Sequence, residues 1–120
     1  MAWEVDFYQE GDGSAPVAEF LDSLRPESRA KALAVIQALR VNGPTLPFPY
    51  SSQAAGKIRE LRAQHGKDKI RVLYFADAGR VFILLHGFLK RTAKLELSEL
   101  AKAESRMVRH NKQISKRGNT

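Results

Sequence analysis

Residues 57–91 read KIRELRAQHGKDKIRVLYFADAGRVFILLHGFLKR. Within this stretch, residues 58–63, 69–76 and 80–87 are rich in side chains that favour strands. A short polar segment joins the first two strands, and Asp77-Ala78-Gly79 predicts a tight hairpin between the second and third. The last two strands are almost continuously apolar, which is typical of central strands covered by other elements. The stretch therefore predicts the antiparallel centre of a sheet.

The segment before this stretch predicts one more strand and two helices. Residues 3–8 alternate between apolar and polar side chains, as in a strand. Apolar residues then recur at helical spacing over residues 16–24 and 27–41, and Asn42-Gly43-Pro44 is a stop signal for the second helix. The residues of the second helix that we expect to face inward are Ala30, Leu33, Ala34 and Ile36.

The remaining segments complete a β-α-α-β-β-β-α order. Residues 44–56 hold three prolines and predict an irregular connection, and residues 96–110 predict a closing helix. The residues predicted to share one side of that helix are Leu97, Leu100, Ala101, Glu104, Met107 and Val108. This order predicts the α+β class: a small antiparallel sheet with a helical hairpin on one face, the other face being less covered. Residues 1–110 form one predicted domain and residues 111–120 a basic tail.

Composition excludes several classes of protein. The chain has 120 residues, of which 43% are hydrophobic, enough for one globular domain with a core. It has no cysteine, which excludes disulfides, a thiol nucleophile and a thiolate metal site. Neither a signal peptide nor an apolar run of membrane-spanning length is visible. We therefore expect a soluble cytoplasmic protein.

Positive charge is concentrated in the second half of the chain. Residues 1–56 carry four Lys/Arg against seven acidic residues, whereas residues 57–120 carry sixteen against six. Such asymmetry points to a nucleic acid or an acidic protein as partner, and a solubilising basic surface is the alternative.

Cations lie on or beside the predicted strands, where they form a preformed surface for a polyanion. They are Lys57, Arg59, Arg62, Lys69, Arg71, Lys90 and Arg91. Alternation places Arg71 on one face with Leu73 and Phe75. A guanidinium in mid-strand loses hydration, so it needs an anionic partner or an open groove. A turn after the third strand would bring Lys90 and Arg91 near Arg71, and such a cluster can bind a phosphodiester and stabilise its transition state.

Four other side chains each allow a structural and a functional interpretation. Glu60 and Arg62 share a face two residues apart, either as an ion pair that sets the register or as part of the site. His86 is either a general acid–base or a structural residue. Tyr74 stacks on bases or packs in the core. The three histidines are scattered without carboxylate partners, which argues against a metal site.

The motifs ELR, RVLY and LHGFLKRT, in this order and spacing, resemble the phage-derived, HigB-like branch of the RelE/ParE toxin superfamily. The resemblance covers residues 57–108 in detail, and the strand and helical hairpin before them agree in architecture. Members of this branch often continue KKTQKT where this chain reads KRTAKL, which weakens the transfer of roles to Thr92 and Lys94.

The resemblance implies a type II toxin that cleaves mRNA on the ribosome without a metal or other cofactor. The 2′-hydroxyl would attack the adjacent phosphate and leave a cyclic phosphate, with Lys57 or Glu60 active in proton transfer. Arg71 would stabilise the phosphate, whereas Lys90 and Arg91 would bind it and protonate the leaving oxygen. The candidate catalytic residues are Arg71, Lys90, Arg91, Arg62 and His86. The candidate RNA-binding residues are Lys57, Arg59, Lys69, Tyr74 and Lys94.

The resemblance also implies a cognate antitoxin as partner, commonly one that carries a helix-turn-helix. Two other functions stay open on the same fold. One is a ParE-like, non-enzymatic inhibitor of DNA gyrase, since fold alone does not separate binding from catalysis. The other is an inactive basic module of prophage origin that binds RNA or protein.

Overall fold

Five strands form one sheet in the computed structural model, which describes residues 3–94 and 96–118. The strands are β1 Glu4–Phe7, β2 Ser51–Ala55, β3 Ile58–His65, β4 Asp68–Asp77 and β5 Val81–Leu89. The helices are α1 Pro16–Ser23, α2 Pro26–Asn42 and α3 Leu97–Gly118, and a 3₁₀ turn, Gly43–Thr45, follows α2. The strand order across the sheet is β1-β5-β4-β3-β2.

The predicted α+β class and the helical hairpin are confirmed, with two corrections to the sheet. Residues 44–56 were expected to be irregular, yet they contain β2, which pairs with β3 as an antiparallel edge strand. The sheet is also not wholly antiparallel, because β1 pairs with β5 in parallel. Alternation along residues 3–8 identifies a strand but carries no information about its partner, which lies more than 70 residues away and is brought there by the tertiary fold.

The sheet is covered on both faces. The helical hairpin packs on one face, where Val17 and Leu21 of α1 and Leu39 of α2 join Val72 and Leu84 in one apolar cluster. We call this the hairpin face. Complete burial of each such side chain stabilises the fold by about 1.5–3 kcal/mol, so this cluster contributes a large share of the stability.

The closing helix α3 packs on the opposite face, which we call the α3 face. Leu100 and Ala103 are buried there against Leu73, Phe75 and Leu85. The packing of α3 is on β4 and β5, at one side of the sheet. The predicted less covered surface is therefore confined to the β3 side of the α3 face. Helix α3 continues to Gly118, beyond its predicted end at residue 110, and residues 119–120 of the predicted tail lie outside the described residues.

Two predicted helix faces were only partly correct, because Ile36 of α2 and Leu100 of α3 are buried as expected and other members are not. In α2, Ala30, Leu33 and Ala34 are exposed; the buried residues are Ser28, Ala32, Ile36 and Leu39. In α3, Leu97, Ala101, Glu104 and Val108 are exposed, and Met107 is half-buried. Alanines occur on both the buried and the exposed sides of α2, so apolar spacing alone did not define its buried face. Across the described residues, no helix combines the length and apolarity needed to cross a membrane.

Candidate active site

Three charged side chains meet on the α3 face of β3 and β4. The Nε atom of Arg71 lies 3.6 Å from Glu60 Oε1, and the Nε atom of Arg62 lies 3.9 Å from the same oxygen. The cluster is assembled by register, because Arg62 is directly opposite Arg71 and Glu60 is two residues before Arg62 on the same face. The ion pair expected between Glu60 and Arg62 is present, and Arg71 extends it across the strands.

Arg71 is buried but not fully satisfied. Only 6% of its side chain is exposed, and its Nη1 donates a hydrogen bond to the Ile70 carbonyl at 3.0 Å. Its Nε has no hydrogen-bond partner, because the contact with Glu60 is too long to be a hydrogen bond. Burial lowers the pKa of Arg71, Glu60 opposes that shift and Arg62 adds to it. A buried guanidinium with an unused donor is poised to accept a further anion.

The cluster lies beside an open end of the sheet. Pairing between β2 and β3 begins at Ser51 and Leu61, and the Arg62 amide donates to the Tyr50 carbonyl at 2.9 Å. Beyond this point β3 has no β2 partner, and a groove of about 590 Å³ opens there. Both Arg62 and Arg71 line this groove, so an anion can approach the guanidinium groups from solvent.

Lys90 and Arg91 lie beyond β5 at the same end of β4. The Lys90 amide donates to the Lys69 carbonyl at 2.8 Å, two residues before Arg71. Phe88 pairs in register with Arg71, and alternation places Lys90 on the same face as Phe88. Arg91 is exposed and lines a shallow depression with Phe88. The expected proximity to Arg71 therefore holds for the Lys90 backbone, whereas Arg91 lies at a separate surface.

Two of the remaining candidates, Lys57 and Arg59, lie away from this cluster. Lys57 is exposed and five residues before Arg62, which corresponds to about 17 Å along a strand. Arg59 points to the other side of β3, where its Nε donates to Ser51 Oγ at 3.2 Å. Lys94 is exposed, and Lys69 is exposed on the same face of β4 as Arg71, two residues before it.

Tyr74 is buried on the hairpin face. Its hydroxyl shares a hydrogen bond with Ser51 Oγ at 2.7 Å, and its ring contacts Phe82 edge to face. The core-packing interpretation of Tyr74 is therefore the one that the structure adopts.

The comparisons with known proteins agree with this architecture. Residues 19–108 match the family described as phage derived protein Gp49-like. The chain belongs to this family. The Gp49-like family is one of RelE/HigB-type toxins, so the resemblance seen in the motifs is confirmed. Among the curated proteins, none matches the sequence.

A solved structure supports the RelE-like fold of this Gp49-like protein. It is the archaeal RelE–RelB complex from Pyrococcus horikoshii OT3, with a TM-score of 0.51 and 20% sequence identity. The match covers 78% of this chain and 100% of the archaeal chain. At this identity the likeness concerns the fold, and the site must be argued from the residues of this chain.

His86 of the Gp49-like chain is held in a network beneath α3. A register shift between β4 and β5 makes Leu73 pair with His86 and Tyr74 with Leu84. His86 consequently turns toward α3, where its Nδ1 lies 2.8 Å from Arg106 Nη1 and its Nε2 lies 2.8 Å from Glu99 Oε2. Because arginine only donates, Nδ1 accepts and Nε2 carries the proton donated to Glu99. This arrangement corresponds to the structural interpretation of His86, because both ring nitrogens are engaged by side chains of α3.

Sequence reasoning missed the partners of His86. Glu99 and Arg106 are seven residues apart in α3, a spacing that places them on one helical face. Arg106 also reaches Glu10, with its Nε 3.9 Å from the carboxylate. The spacing of Glu99 and Arg106 predicts that they share a helical face. It does not identify them as partners of His86 unless the buried face of α3 is known.

The free energy of unfolding should fall between about pH 7 and pH 5. Burial lowers the pKa of His86, and Glu99 only partly opposes this shift. The unfolded chain, in which histidine has a pKa near 6.5, then binds the proton more readily, so acidification favours unfolding. Urea titrations across this range check the prediction. His86→Gln should flatten the pH dependence, and an unchanged slope in this variant would contradict the assignment.

Proposed function

We propose that this Gp49-like toxin is a ribosome-dependent mRNA endoribonuclease of a type II toxin–antitoxin pair. The observation that carries the proposal is the buried Arg71, whose Nε lacks a hydrogen bond and which lines an open groove. A guanidinium in a desolvated site stabilises the charge that develops on a phosphoryl group far better than one in water. A purely structural arginine would use its donors within the protein.

The proposed reaction uses the RNA's own nucleophile. The 2′-oxygen forms a bond to the adjacent phosphorus as its proton passes to Glu60, whose carboxylate pairs with Arg71 at 3.6 Å. The bond from phosphorus to the 5′-oxygen then breaks, and Lys90 delivers a proton to that oxygen. The products are a cyclic phosphate and a 5′-hydroxyl, so protons and bonds balance. Of the two proton-transfer candidates, Glu60 is favoured over Lys57 because Lys57 lies about 17 Å along the strand.

We also propose an antitoxin as the inhibitory partner, with the toxin acting in the cytoplasm where mRNA is translated. The related archaeal RelE is described in complex with RelB. In this chain the excess of cations after residue 57 would attract an acidic antitoxin segment as well as RNA. Occupation of the Arg71 cluster by antitoxin carboxylates would then exclude the phosphodiester.

Induced expression in a bacterial host should stop growth with mRNA cut inside codons on the ribosome. Mapping of new 5′ ends, together with growth curves, checks this outcome. Arg71→Lys should restore growth and remove the new ends at equal protein level. Growth arrest with intact mRNA and an induced DNA-damage response would instead indicate gyrase inhibition. Harmless expression of the unaltered chain would favour the inactive module.

A further inference from the structure

The groove beside Arg71 has the features of a binding site for a planar anionic ligand. Its apolar walls come from α2, through Ala34, Val35 and Ala38, and from the loop that contains Pro49 and Tyr50. Its volume of about 590 Å³ falls within the usual range for small-ligand sites, about 300–1,000 Å³. The groove exists because β2 stops pairing at Leu61, which leaves the end of β3 uncovered.

Charge in the groove is of one sign. The described residues that line it include Lys31, Arg62 and Arg71 and no carboxylate. Glu60 forms ion pairs with Arg62 and Arg71, but it does not line the groove. An anionic ligand is therefore favoured over an apolar one.

Aromatic and amide groups complete the groove at its rim. The Tyr50 ring is half exposed, and the guanidinium of Arg62 lies 5.2 Å from the centre of the Phe48 ring. Asn42 and Gln64, which also line the groove, each use their amide nitrogen on a nearby carbonyl, at 2.9 Å and 3.4 Å. No protein hydrogen bond to their side-chain oxygens is seen in the described part of the chain, so these oxygens can accept from a base edge.

We propose that this groove binds the nucleobase next to the phosphate held at Arg71. The inference rests on the proposed ribonuclease function and adds the place where the substrate's base is recognised. The base stacks on Tyr50 and packs against the alanine wall of α2, and the phosphate contacts the guanidinium group of Arg71 at the inner end. Proteins generally bind single-stranded RNA by stacking bases on aromatic side chains and by placing cationic side chains along the RNA backbone.

The test compares binding of two uncleavable probes to the purified protein. One is a 2′-O-methyl trinucleotide, and the other is the same molecule with one abasic position. The unaltered protein should bind the complete trinucleotide about tenfold or more tightly than the abasic one at fixed salt, since each stacked base adds substantially to affinity. Tyr50→Ala should remove the preference, and Tyr50→Phe should retain it.

Ala34→Trp fills the groove, and Ala30→Trp is the matched control. Both alanines are exposed on α2, but Ala30 lines a different depression, so only Ala34→Trp should lose the preference. Melting curves check that each variant is folded. Equal binding of both probes by the unaltered protein would overturn the inference, as would normal base preference in a folded Ala34→Trp variant. Loss of antitoxin inhibition in the Ala34→Trp variant, with base preference intact, would also overturn it, because the groove would then be a protein-docking surface.

These binding measurements separate the inference from the proposed function. Base preference without mRNA cleavage in cells would support the groove as a base site and contradict the nuclease. Cleavage that depends on Arg71 together with no base preference would support the nuclease and overturn the groove assignment.

Discussion

Arg71→Lys is expected to lower mRNA cleavage by about 10²–10³-fold while the protein stays folded. Removal of one preorganised donor from a transition-state charge typically has an effect of this size. Lysine keeps the positive charge beside Glu60, but it is a point charge without the planar donor array of a guanidinium. Cleavage of a reporter mRNA in a reconstituted translation system, with quantified 5′ ends, measures the loss.

Lysine is the informative replacement because alanine would also damage the fold. Glu60 is buried, and loss of one partner from a buried ion pair typically destabilises a protein by about 3–5 kcal/mol. Arg62, at 3.9 Å from Glu60, would compensate only in part. Arg40→Lys, at an exposed position of α2, is the matched control and should cleave normally. If Arg71→Lys cleaves as well as the control, Arg71 is an element of stability and not of catalysis.

Gly43→Ala is expected to destabilise the protein by about 2–6 kcal/mol. Gly43 ends α2 with φ 60° and ψ −139°, a backbone conformation that is essentially restricted to glycine and strained by about 1–3 kcal/mol for other residues. A Cβ at this position would also overlap the Trp3 indole, which stacks on Phe82 at 4.7 Å. Overpacking adds a further 1–3 kcal/mol or so. Urea unfolding gives the free energy directly.

Two other glycines separate the backbone effect from the clash. Gly56 has φ 55° and open space around it, so Gly56→Ala should lose only about 1–2 kcal/mol. Gly11 lies in open space without a positive φ, and Gly11→Ala should change stability by less than about 0.5 kcal/mol. Equal losses of unfolding free energy for Gly43→Ala and Gly56→Ala would show that the Trp3 indole moves aside without a cost in stability.

Local patterns predicted the side of the sheet on which Arg71 lies. Strand alternation is a property of the backbone itself, so Arg71 was correctly grouped with Leu73 and Phe75, away from Tyr74. Alternation also placed Glu60 and Arg62 together. The pairing of Glu60 with Arg71, by contrast, depends on the register between β3 and β4, which the turn and the core set jointly.

The groove was not predicted because its walls come from segments distant in sequence. Ala34 was predicted to face inward, Ala38 was not assigned to a face, and the loop around Tyr50 was predicted only as an irregular connection. Only the end of the β2–β3 pairing and the docking of α2 on the sheet bring these surfaces together beside Arg62. Similarly, His86 was visible as a candidate, but its engagement by Glu99 and Arg106 required the position of α3.

The sequence by itself determined the helical hairpin, the three central strands, the cationic second half and the family, because each depends on local periodicity, composition or contiguous motifs. The edge strand β2 was missed. Tertiary structure alone decided the parallel partner of β1, the buried faces of α2 and α3, the groove, and which cations share a site. These features depend on contacts between segments far apart in the chain. Their energies come from burial and register, which no local pattern contains.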